Sequence, residues 1–113
     1  MALFKNKYRN KKVEIDGVKF DSIKESRRYL VLKEALNKHE IGPITVHQTF
    51  VLQAAFEKDG KKYRPITYEA DFTYQQNGIT VIEDTKGFRT KDYMIKKKML
   101  IKNLPDNCRF VEL

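Results

Sequence analysis

Cysteine is nearly absent from this chain. Cys108 stands alone, so no disulfide can close within it. Histidine is almost as scarce. His39, His47 and Cys108 are the only soft metal ligands, and none has ligand-like spacing, which all but excludes a structural zinc site. Any metal here would be held by oxygen. No apolar run approaches the ~20 residues a membrane span requires. The N-terminus is charged from Lys5 onward and lacks the apolar stretch of a signal peptide. A cytoplasmic protein with no membrane partner is expected.

What is present in excess is positive charge. Lys and Arg number 23 against 15 Asp and Glu, a net charge of +8. That balance favours a polyanionic partner, nucleic acid first and an anionic membrane surface second. The 113 residues suit one domain, and a hydrophobic content of 41% excludes a disordered tail.

Residues 1–12 read as a basic N-terminal arm, with Lys5, Lys7, Arg9, Lys11 and Lys12 and no acid. A single domain should follow over 13–113. Val13 to Phe20 alternates around Asp16-Gly17 and predicts a short hairpin. Ser22 to Lys38 reads as a helix: Ser22 and Glu25 fit a capping box, and Tyr29, Leu30, Leu32, Ala35 and Leu36 form the apolar stripe. Gly42-Pro43 breaks it. Ile44 to Phe56 predicts one strand, and Asp59-Gly60 a turn. Ile66 to Gln75 and Ile79 to Lys86 predict two more strands, joined by an Asn77-Gly78 hairpin turn. Thr90 should cap a second helix that runs to about Asn103 and stops before Pro105. Arg109 to Leu113 is the last strand. After the first hairpin the order is α-β-β-β-α-β, a mixed α/β or α+β arrangement around one sheet.

The Asn77-Gly78 turn fixes a register. Gln76 should pair with Ile79, Thr73 with Ile82, Asp71 with Asp84 and Glu69 with Lys86. Alternation then puts Glu69, Asp71, Asp84 and Lys86 on one face. Tyr68, Ala70, Phe72, Tyr74, Ile79 and Val81 take the other. Two like charges opposite each other in a ladder are destabilising, and such local conflicts mark function. A divalent cation such as Mg²⁺ would resolve this one. A one-residue slip of the strands, or a plain Glu69–Lys86 pair on a wet face, is the structural alternative. Glu25 also has two readings. It shares the helical face of Tyr29, Leu32 and Leu36, where a carboxylate could serve as a third ligand, and it can simply close the capping box with Ser22.

The element order and these residues resemble the PD-(D/E)XK nuclease superfamily, whose fold is restriction-endonuclease-like. The likeness rests on Glu25 in S-I-K-E-S-R-R-Y, Asp71 in Y-E-A-D-F and Asp84-Thr85-Lys86 in V-I-E-D-T-K-G, and extends through T-K-D-Y-M-I-K-K-K-M-L. Ala70 stands where the family often has proline. Glu83 also precedes Asp84, but it projects to the face opposite Lys86, so Asp84 is the better match. In size and phrasing the chain is similar to compact phage-encoded members, and in scale to Holliday-junction resolvases. The resemblance implies a metal-dependent DNA endonuclease acting on structured or branched DNA, in the cytoplasm of a bacterial host if phage-encoded.

In that family picture Asp71, Asp84 and Glu25 hold Mg²⁺, for which Mn²⁺ substitutes, together with the main-chain carbonyl of Thr85. Lys86 acts on the attacking water or the developing charge. Glu69 is a further candidate acid for a second metal. Candidate DNA contacts are Arg27, Arg28, Tyr93, Lys97 and Lys98, besides the basic arm; a solvated lysine face is the plain reading of the Lys96–Lys98 run. A homodimer is expected if the substrate is symmetric. The rival functions are a catalytically inactive DNA-binding module of the same fold and a regulatory protein-binding factor that is basic only for solubility.

Overall fold

The computed structural model describes residues 12–85 and 89–113. Among the described residues the fold is a mixture of α and β, with two helices and several small sheets. Contacts divide the chain between Glu40 and Ile41 into two compact units. Among the described residues, no helix is long and apolar enough to cross a membrane.

In the first unit, β1 (Val13–Ile15) and β2 (Val18–Phe20) form an antiparallel hairpin. Asp16 and Gly17 both take positive φ, the backbone of a type I′ turn. Helix α1 (Ile23–Asn37) follows, and the Ser22 hydroxyl accepts from the Glu25 amide at 3.1 Å, as an N-cap should. Phe20 and Tyr29 pack with centroids 4.9 Å apart and rings tilted by 40°, and the Tyr29 hydroxyl returns to Asp16 of the hairpin. Tyr29 and Leu32 are buried as expected. Leu30 is not: it stands in solvent, because the stripe is narrower than its apolar letters suggest.

The second unit is built on a four-stranded sheet of order β10-β9-β8-β3. These strands are β3 (Thr45–Val46), β8 (Phe72–Gln76), β9 (Ile79–Asp84) and β10 (Cys108–Glu112). The Asn77-Gly78 turn sets Gln76 opposite Ile79 and Thr73 opposite Ile82, the register the turn chemistry dictates. Helix α2 (Lys91–Asn103), capped by Thr90, carries the chain from β9 to β10, which pair in parallel.

Two strands predicted as continuous are broken. Ile44 to Phe56 is divided at His47, whose φ of 58° interrupts extended backbone, into β3 and β4 (Thr49–Gln53). Ile66 to Gln75 is divided at Ala70-Asp71 into β7 (Ile66–Glu69) and β8. The two breaks face each other. Val46 pairs with Phe72 and Thr49 with Glu69, while the His47 amide donates to the Asp71 carbonyl and the Ala70 amide to the Gln48 carbonyl. The antiparallel register therefore runs on through a bend. Beyond it the faces exchange: Tyr68 and Ala70 join Leu52, Ile82, Tyr93 and Leu100 in the core, whereas Phe72 and Tyr74 share the other face of the sheet with Val81 and Glu83. The prediction that Tyr68 and Ala70 share a face with Phe72 and Tyr74 fails for this reason. Each large side chain of that core contributes about 1.5–3 kcal/mol. Asp59-Gly60 does more than turn the chain: it joins β5 (Phe56–Lys58) to β6 (Lys61–Tyr63) in a separate ribbon.

Candidate active site

Asp71 lies in the bend, at the start of β8, and Asp84 ends β9. The ladder stops at Phe72 and Glu83; past it the Asp71 amide donates to the Glu83 carbonyl at 3.1 Å. The Asp71 carboxylate turns toward the end of β9. Its Oδ2 accepts from the Thr85 amide at 2.6 Å and from the Thr85 hydroxyl at 2.7 Å. Charge-assisted bonds of this length are strong, and they hold the bend against the strand end. The Asp84 carboxylate is fully buried, and its Oδ2 accepts from the Tyr68 hydroxyl. Burial, then the carboxylate of Asp84, pushes the Tyr68 hydroxyl far up, so Tyr68 stays protonated and acts as a donor.

The two carboxylates are thus joined through adjacent residues, Asp84 and Thr85, at one end of the sheet. Glu83, on the opposite face, accepts from Tyr74, which is where strand alternation puts it. Glu69 is elsewhere. It lies in β7 opposite Thr49, exposed; its expected partner Lys86 lies outside the described residues.

Glu112 enters the site unannounced by the sequence. Parallel pairing sets it beside Asp84. Its Oε1 meets Lys97 at 2.9 Å and Arg89 at 3.2 Å, and its Oε2 accepts from Tyr93. The Tyr93 hydroxyl bond, then Lys97, holds the Glu112 carboxyl below the usual carboxylate range, against the opposing effect of burial. Burial, then Glu112, raises the Tyr93 hydroxyl. Of the two residues expected at a DNA surface, Tyr93 is buried, and Lys97, partly exposed, pairs with Glu112. Lys98 is exposed. No local pattern signals Glu112, because its neighbours are chosen by a crossover of one helix.

Glu25 and Arg28 belong to the first unit, as does the exposed Arg27. Glu25 is buried, and its Oε1 accepts from the Asp21 amide at 3.1 Å while its own amide is capped by Ser22. The capping reading of Glu25 thus has its geometry, with Asp21 in the place of the Ser22 amide. Lys86 and the arm residues Lys5, Lys7, Arg9 and Lys11 lie outside the described residues; Lys12 is exposed.

Among the described residues, no group of three or more His, Cys, Asp or Glu side chains has metal-binding geometry. Two carboxylates are what Asp71 and Asp84 offer, with the main chain of Thr85 beside them. Such a set suits Mg²⁺, which keeps several waters and takes one or two carboxylates with a substrate phosphate.

A family model described as "Protein of unknown function (DUF1064)" matches residues 5–111. No curated protein and no solved structure matches the chain.

Proposed function

The chain belongs to the DUF1064 family, and we propose that it is a metal-dependent endonuclease that hydrolyses phosphodiester bonds in structured or branched DNA. The observation that carries this reading is the pair of hydrogen bonds from Thr85 to Asp71. Through them a carboxylate from a bent strand is tied to the D-T-K end of β9. An acid in one strand and D-x-K in the next is the arrangement that the PD-(D/E)XK resemblance requires. The excess of positive charge supports a polyanionic substrate.

In this reading Asp71 and Asp84 hold Mg²⁺, with the Thr85 carbonyl as a further oxygen. Bound there, Mg²⁺ supplies Lewis acidity toward the phosphate and eases deprotonation of water. Tyr68 keeps the Asp84 carboxylate oriented. Glu112 pairs with both Lys97 and Arg89 beside the site and so helps to fix their positions. Lys86, next in sequence after Thr85, orients the attacking water or meets the charge that develops on the phosphate.

The test is incubation of plasmid and of four-way and forked DNA with the protein in Mg²⁺, in Mn²⁺ and in EDTA. Wild type should cut in either metal and not in EDTA. Lys86→Ala and Asp84→Asn should bind DNA without cutting it. Binding without cleavage by wild type in both metals would leave the inactive DNA-binding module; no binding at low salt would leave the regulatory factor.

A further inference from the structure

Every residue from 53 to 65 is exposed, and β5 and β6 within this stretch pair with each other as a two-stranded sheet. The pairs are Phe56–Tyr63, Glu57–Lys62 and Lys58–Lys61, closed by Asp59 and Gly60 at φ 52° and 76°. Alternation sorts them by face. Glu57 and Lys62 occupy one, an ordinary opposite-charge pair. The other carries Phe56 and Tyr63, then Lys58 and Lys61.

That second face is hard to explain by stability. Lys58 and Lys61 stand directly opposite each other, and like charges in that position oppose pairing. The Phe56 and Tyr63 rings stack 4.7 Å apart at 11°, which helps to hold so short a ribbon together. Yet the two residues stay 45% and 41% exposed, so the stack seals no core. Lys61 Nζ lies 5.3 Å from the Tyr63 ring centroid, covering that ring with a cation. With Lys62 and Arg64 the stretch holds four cations against Glu57 and Asp59. Exposed rings interleaved with lysines are the combination that binds unpaired nucleic acid, where lysines follow phosphates and rings take bases.

We propose that the β5–β6 ribbon is a binding arm for unpaired DNA strands, in which Lys58 and Lys61 meet phosphates and a base stacks on Phe56. This rests on the reading that DNA is the substrate, but not on any step of cleavage. It gives the protein a means of preferring forks and branches over continuous duplex.

The measurement is fluorescence anisotropy of the full chain in EDTA with a short labelled single strand and a duplex of the same length, across a salt series. Lys58→Gln with Lys61→Gln should weaken single-strand binding and lower the log–log salt slope by about 1.4, two contacts' worth on a single strand. The same double variant should melt no lower than wild type, because the repulsion is gone. Phe56→Ala should weaken single-strand binding about tenfold, with a smaller effect on duplex. An unchanged slope in the double variant, while wild type binds and cuts DNA, overturns the arm and leaves the nuclease reading standing. Equal losses on single strand and duplex overturn the assignment to unpaired strands. Failure of wild type to bind either DNA overturns both.

Discussion

The Tyr68 hydroxyl donates to the buried carboxylate of Asp84, although an unbent strand would point the two side chains to opposite faces. The bend at Ala70-Asp71 turns Tyr68 under the sheet and brings the phenol to the acid. A carboxylate that must hold a metal gains from a fixed orientation, and loss of such a partner costs about 10–100-fold in metal affinity. Tyr68→Phe keeps the ring in the core and removes only the hydroxyl. It should raise the Mg²⁺ concentration needed for half-maximal cleavage by that factor, and excess Mg²⁺ should restore the rate. A Mg²⁺ titration of cleavage decides; an unshifted midpoint would make Tyr68 a packing residue only.

Asp84 is a fully buried carboxylate at the end of β9, with the Tyr68 hydroxyl as a donor. Burial disfavours the charged form, and the Asp71 carboxylate nearby adds repulsion. Asp84→Asn removes the charge and keeps an oxygen for Tyr68. The variant should be inactive yet gain on the order of 1 kcal/mol in EDTA. Mg²⁺ should then stabilise wild type more than the variant, since wild type retains both carboxylates. Four melts, two proteins with EDTA and with Mg²⁺, test this. A variant less stable than wild type in EDTA, with no response of either to Mg²⁺, would make Asp84 structural.

How much of this was legible beforehand depends on the range of the signal. Asn77-Gly78 demands positive φ at both positions, so the β8–β9 register followed from two letters. Ser22 and Thr90 announced both helix starts, because capping is local. The bend was hidden. Nothing in V-H-Q-T-F marks His47 for left-handed backbone, so β3 and β4 read as one strand and the pairing of Glu69 with Thr49 does not show. The Asp59-Gly60 turn was legible, but the ribbon was not, since its strands have no buried face to impose alternation. Glu112 was out of reach, because parallel pairing through α2 is non-local.

His47 is where sequence and backbone disagree most, at φ 58° with its amide on the Asp71 carbonyl. A β-branched residue in this region suffers the clash of its Cβ branches with the backbone, which costs roughly 1–2 kcal/mol. His47→Val should lose that much in urea unfolding, whereas His47→Gly, free of a Cβ, should lose less. If valine is tolerated as well as glycine, the bend is not set at His47. Cleavage by the valine variant should fall more than its stability explains, because the bend aims Asp71.

Glu112 gives the fold an acid-sensitive component. Its carboxyl is held below the ordinary range by the Tyr93 hydroxyl and by Lys97. A group whose pKa is lower in the folded than in the unfolded chain stabilises the fold above its unfolded pKa. That contribution is lost as pH falls through the folded pKa. Glu112→Gln never has it. The melting temperature of wild type should therefore exceed that of Glu112→Gln at neutral pH by a margin that holds steady down to the ordinary carboxylate range. Below that range the margin should shrink as Glu112 takes up its proton. Lys97→Met should narrow the neutral-pH margin, since it removes one of the partners that depress the pKa, whereas Lys98→Met, on an exposed neighbour, should leave it alone and weaken DNA binding instead. Melts of these four proteins across an acid series measure it. A margin that persists unchanged into strong acid would show that Glu112 contributes through packing, not charge.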